Sequence, residues 1–199
     1  MDTFLTQYDK FIYNEQFEGH TRAQEVIDSV KVTMKISTQC NKCQNIEKRE
    51  EKEYFLFIPL VNDVENIFKP FYSTFKFCCG ICNALARNPH PRLQTGAFQK
   101  AQVKTIGQYL LTKFGRANFN GVKITHKVTI PLSNNFLAKN LKLEAWIEHI
   151  GQRINSGHYF MIRREGESFI KMSDDIFTIY KNNSIAESKS CYIALLKSL

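Results

Sequence analysis

The chain has 199 residues, 43% of them hydrophobic and 23% charged, with a formal charge of +8. These fractions suit one globular domain, or part of a larger one, and exclude wholesale disorder. No apolar run is long enough to span a bilayer, so a membrane is not an expected partner; Met1-Asp2-Thr3-Phe4-Leu5 also lacks the basic and apolar regions of a secretory leader.

The charge is unevenly spread. Between Asn66 and Leu143 there are twelve Lys or Arg and no acidic residue, while the remainder is net acidic. Such a stretch builds a basic surface for an acidic partner or nucleic acid, or a solvated face that keeps the protein soluble. No regular interleaving of basic and aromatic residues suggests base stacking, so the solvated face is favoured and nucleic acid is not the expected partner.

Residues 1–30 read as a helical or mixed lead-in. Thr21-Arg22-Ala23-Gln24 suits a capping box, with Val26, Ile27 and Val30 following at helical spacing. From Lys31 the pattern is β, as Val32, Met34 and Ile36 alternate with Thr33, Lys35 and Ser37. Glu47 to Glu53 alternate in sign and predict a solvated hairpin tip. Tyr54 to Leu60 predict an apolar strand, and Asp63 to Phe68 a short helix ended by Pro70. Residues 84–104 are the least ordered by composition, with a loop at Asn88-Pro89-His90-Pro91.

Gln108 to Phe114 predict a strand, Asn118-Phe119-Asn120-Gly121 a turn, and Lys127 to Leu132 a further segment. Leu143, Ala145 and Ile147 alternate towards a core, with Glu144, Trp146 and Glu148 opposite. Cys191-Tyr192-Ile193-Ala194-Leu195-Leu196 is a strand in which Cys191 should be buried; it is not a candidate nucleophile.

Two stretches carry chemistry. Cys40-Asn41-Lys42-Cys43 and Cys79-Gly80-Ile81-Cys82 are Cys-x-x-Cys knuckles, each offering two thiolates from a tight turn. Two knuckles close a tetrahedral site, so Cys40, Cys43, Cys79 and Cys82 are assigned to a structural Zn2+, with Cys78 a rival for the place of Cys79. Buried free thiols are the alternative. The six cysteines are clustered rather than laid out as a disulfide framework, which points to the cytosol or nucleus. The second stretch is Asn155-Ser156-Gly157-His158-Tyr159-Phe160-Met161-Ile162. His158 stands at the mouth of a strand beside a glycine, as a general base requires; a loop-end histidine satisfying a neighbour would look the same.

The flanks add a resemblance. Leu143 to Gly151, Ser156-Gly157-His158-Tyr159, Phe169 to Ile176 and the strand from Cys191 together resemble the histidine-box half of the ubiquitin-specific proteases, papain-like cysteine peptidases. The resemblance covers about Lys31 to Leu199. It implies a mostly antiparallel α+β fold: a helical lead-in at 1–30 (a remnant of the thumb–fingers junction), zinc-ribbon fingers at 31–122 and a palm at 123–199, with the thumb largely missing. Lys113-Phe114 stands where the family has Arg-Phe, and His149 matches a histidine that is not the base.

By the same resemblance His158 is the general base. Ser173 falls at the position that orients the imidazole, where the family commonly has Asp or Asn. Asp174 can take over that task, directly or through water, or Asp174-Asp175 can cap a turn. The family's nucleophile block, Gly-Asn-Thr-Cys-Tyr, occurs nowhere in the sequence. The implied activity is hydrolysis of the isopeptide bond after ubiquitin, by a domain lacking its nucleophile. The implied partners are ubiquitin or a ubiquitin-like protein and its conjugates, with a second polypeptide completing the site as one possibility. The alternatives are a ubiquitin-binding pseudoenzyme and, from another class, a basic zinc-ribbon module for nucleic acid.

Overall fold

The structure is a computed structural model describing residues 20–85, 95–118, 121–153, 156–180 and 185–199. In chain order its elements are α1 (His20–Val30), β1 (Val32–Cys40), β2 (Ile46–Glu53), β3 (Leu56–Pro59), β4 (Phe71–Phe77), α2 (Gly80–Ala84), β5 (Thr95–Ile106), β6 (Tyr109–Gly115), β7 (Val128–Pro131), β8 (Ser133–Phe136), β9 (Lys139–Arg153), β10 (Ser156–Glu165), β11 (Ser168–Ser173), β12 (Ile176–Tyr180), β13 (Ile185–Ser188) and β14 (Cys191–Ser198). Residues 1–19 and the loop expected at Asn88 to Pro91 lie outside the described residues. The chain divides into two units: Met1–Val32, Glu53–Ile67 and Ile106–Leu199 form one, Thr33–Lys52 and Phe68–Thr105 the other.

The first unit is built on an eight-stranded sheet in the order β12-β11-β10-β9-β14-β6-β3, with β8 also on β9. Its pairings are antiparallel except β3 with β6. Residues 106–122, grouped with the fingers on sequence, fall in this unit. Alternating apolar residues give β3 and β6 a buried face through Leu56, Ile58, Leu110 and Phe114. A two-stranded sheet pairs β13 with β7. At the far edge, β12 carries Ile176, Phe177 and Ile179 exposed.

Three expectations fail here, each for a physical reason. Asp63 to Phe68 form no helix. Val64 instead pairs with Val128, its N–H donating to Lys127 O and its carbonyl accepting from Thr129 N. A short isolated helix is costly to nucleate, and strand pairing wins. In β9, Trp146 is buried rather than outward, and Ala145 and Ile147 are only half-buried. The register against β14 shifts between Leu195↔Ala145 and Leu196↔Leu143, so Glu144 is an extra residue. Such a bulge breaks the alternation on which the expectation rested. Trp146 then packs edge-on against Phe169 at 5.2 Å and Tyr180 at 5.7 Å. Lastly, Thr21 lies inside α1, not at its N-cap.

The second unit is a four-stranded sheet in the order β2-β1-β5-β4. Met34, Ile36, Thr38 and Cys40 of β1 bury one face together with Ala97 and Val103 of β5. The charged ribbon is an edge strand, β2, and the turn carrying Cys43 precedes it. Residues 95–104, expected to lack order, form most of β5, an inner strand. Its inward residues Thr95 and Ala97 are small, and Gly96, Lys100, Gln102 and Lys104 interrupt its outward side, so composition hid it.

Candidate active site and metal centre

The four knuckle cysteines converge. The sulfurs of Cys40, Cys43, Cys79 and Cys82 all lie within 4.8 Å of one another. Cys40 Sγ is 3.7 Å from Cys82 Sγ, and Cys43 Sγ is 3.5 Å from Cys79 Sγ. A tetrahedron with metal–sulfur bonds of about 2.3 Å has sulfur–sulfur edges of about 3.8 Å. The donor set therefore fits a zinc-sized ion. Cys78 is exposed and outside the cluster, which resolves the rivalry for Cys79.

Local backbone holds each knuckle. Asn41 N donates to Gly96 O and Gln44 N to Cys40 O, both at 2.9 Å. Gln44 turns the chain with φ 61. After Cys79, Asn83 N returns to Cys79 O at 3.0 Å. The Thr95 hydroxyl lies 3.4 Å from Cys40 Sγ and brings that thiol down to about 6, while burial pushes Cys82 up to about 12.

The histidine box lies on β10 and β11. Their antiparallel register pairs Met161 with Met172 and places Ser173 at the β11 end. His158 Nε2 is 2.7 Å from Ser173 Oγ and 3.6 Å from Asp174 Oδ2. Asp174 and Asp175 make the two-residue turn between Ser173 and Ile176, with Asp174 at φ 51. Asp174 thus both turns the chain and faces the imidazole. Its side chain is 79% exposed and that of His158 45%, so water screens their attraction and the shorter Ser173 contact sets the geometry.

With Ser173 at Nε2, the ring's other nitrogen is left to accept a proton. It does so only in the tautomer in which Nε2–H donates to Ser173 Oγ. The arrangement presents an oriented, solvent-reached imidazole that can serve as a base.

Behind this edge lies a packed support. His149 is buried, and its ring lies 4.4 Å from that of Tyr159 and 5.5 Å from that of Tyr192. Burial, helped by the charge of Lys123, lowers its pKa and keeps it neutral. A Cβ on Gly157 would run into Ile150 O and His149 Nε2, and one on Gly151 into Ser156 O. The two glycines let β9 and β10 close over the His149 ring. Their pairing is irregular here: Ser156 faces Arg153 but His158 faces Ile150, so β9 bulges at Gly151 and Gln152.

Sequence reasoning missed two residues of this support. Lys123 donates to His149 O and to Gly151 O, the latter at 3.1 Å, where β9 has run past the end of β14. Arg116 is fully buried and donates to Cys191 O, Ile124 O, His126 O and Ser188 O at 2.6–3.3 Å. Both looked like ordinary members of a basic stretch. Cys191 is buried, as expected; burial raises its thiol far above neutrality, so it is inert as a nucleophile.

Fold and sites define a mostly antiparallel β protein with few helices, carrying a tetrathiol cluster and an oriented histidine. The family model for ubiquitin carboxyl-terminal hydrolase matches residues 6–195, and the chain belongs to that family. No curated protein matches it.

Proposed function

We propose that this chain acts on ubiquitin conjugates as the fingers and palm of a thiol-dependent isopeptide hydrolase of papain-like type. His158 is the general base, Ser173 holds its Nε2, and Asp174 adds a screened negative charge. The observation that carries this is the 2.7 Å contact of His158 Nε2 with Ser173 Oγ, within a family match to residues 6–195. The free nitrogen of His158 would take the proton of an attacking thiol and return it to the departing amine. That thiol is none of the six cysteines: four sit in the cluster, Cys191 is buried, and Cys78 lies beside the cluster.

Cys40, Cys43, Cys79 and Cys82 would hold a structural Zn2+ in the fingers. With all four positions filled by sulfur, such an ion would stabilise the fold and leave no open position for substrate. The missing nucleophile also favours a second reading, in which the chain binds ubiquitin or a ubiquitin-like protein without cutting. We place the protein in the cytosol or nucleus, where thiols stay reduced.

Titrating labelled ubiquitin into the chain, alongside a cysteine-directed ubiquitin probe, tests both readings. Saturable binding with no labelled cysteine is expected. Failure to bind would overturn both readings, and labelling of any cysteine would overturn the missing nucleophile.

A further inference from the structure

The second unit's sheet has an exposed outer face to which the proposed function assigns no residue. One face of this sheet is buried, through Ile36, Thr38 and Ala97. The opposite face presents two exposed rings on neighbouring strands, Tyr72 of β4 and Phe98 of β5, stacked at 5.6 Å with 25° between planes. Register sets lysines around them. Lys100 pairs directly with Tyr72, Lys76 lies two pleats along β4 opposite Gly96, and Lys104 two pleats along β5. Lys35 of β1 is exposed on the same face. Glu50 answers Lys104 at 2.6 Å, but among the described residues Lys35, Lys76 and Lys100 form no ion pair.

The linear sequence scatters these residues over three strands, which is why no aromatic–basic spacing shows there. From Lys76 to Lys104 the face runs eight residues of strand, about 26 Å. Its lysines without an ion pair flank the rings: Lys76 lies beyond Phe98 and Lys100 beside Tyr72, while Lys104 at the far end is answered by Glu50. Lysines alone would suit any polyanion, but a pair of open rings between them adds what unpaired bases need. A duplex hides its bases and could use only the lysines.

We infer that this face, centred on Tyr72 and Phe98, binds single-stranded nucleic acid, the rings stacking bases and Lys76, Lys100 and Lys35 contacting phosphates. Fluorescence anisotropy of the whole chain with a labelled 12-nucleotide poly-U RNA at 50 mM salt tests it. Tyr72→Ala and Phe98→Ala should each weaken binding about 5- to 150-fold while calorimetry still shows a cooperatively folded protein. Lys76→Gln and Lys100→Gln should each lower the slope of log affinity against log salt by about 0.7. His158→Ala should leave binding unchanged, so this site and the ubiquitin site fail separately. No retention at 50 mM salt would overturn the assignment. So would a 12-base-pair duplex that binds equally well, or aromatic variants that bind like the parent. Labelled ubiquitin that binds and is lost with Tyr72→Ala would hand the face to protein instead.

Discussion

Replacing Gly157 by alanine isolates the device that brings His158 to its partners. Gly157 has φ +147, a region that L side chains rarely adopt, and holding one there costs about 1–3 kcal/mol. The new methyl would also collide with Ile150 O, a backbone atom, and with His149 Nε2, whose ring is wedged between Tyr159 and Tyr192. Neither neighbour is the far end of a flexible chain, so overpacking adds about 1–3 kcal/mol. The sum is about 4 kcal/mol. For a chain of this length that lowers the melting temperature by about 8–16 °C. Gly166 is the internal control. It has φ +62, but a Cβ there meets nothing within 4 Å, so alanine costs only the backbone strain of about 1–2 kcal/mol. Calorimetry on both variants separates clash from strain, and imidazole NMR reports whether the His158 Nε2 contact with Ser173 survives. A Gly157→Ala protein that melts within about 3 °C of the parent, or no lower than Gly166→Ala, would refute the reasoning.

Stripping metal with a strong chelator should lower the melting temperature of the second unit, and Cys43→Ser should reproduce the loss; a metal-free preparation with an unchanged curve would sink the thiol site. Arg116→Lys should lose several kcal/mol, about 3–5, because an ammonium cannot replace a fork that serves four carbonyls from two directions. A shift in denaturation free energy below about 1 kcal/mol would show that fork to be dispensable. His149 predicts a pH effect. Its folded pKa is depressed by burial, so its neutral form is favoured in the fold, and stability is whole above the unfolded value of about 6.5 and falls as pH drops below it. His149→Phe should flatten the denaturation midpoint between pH 7 and pH 5; an equal slope in parent and variant would remove His149 as the cause.

What the sequence exposes is what repeats or carries special chemistry. The alternation of Val32, Met34 and Ile36 survives as the buried face of β1, and the two knuckles meet as their spacing demands. Where a side chain's fate depends on another strand, the pattern misleads. Trp146 is buried because β14 pairs past a bulge at Glu144, a fact that no window around Trp146 contains. Strand β5 was hidden because Thr95 and Ala97 are small enough to fill a buried face without looking hydrophobic. At the candidate site, His158, Ser173 and Asp174 were legible through a family pattern, and the structure sets Ser173 Oγ 2.7 Å and Asp174 Oδ2 3.6 Å from His158 Nε2. Lys123 and Arg116 were not legible, because each acts on carbonyls, and carbonyls leave no mark in a sequence.

The place of β14 has a consequence for how the protein is made. Residues 191–198 lie between β9 and β6, in the middle of the large sheet. Until they leave the ribosome, the two halves of that sheet have no strand to join them, and Leu143 and Leu110 face a gap where Leu196 belongs. The sheet of the first unit therefore closes only when β14 is in place, since it alone joins β9 to β6 among the described strands.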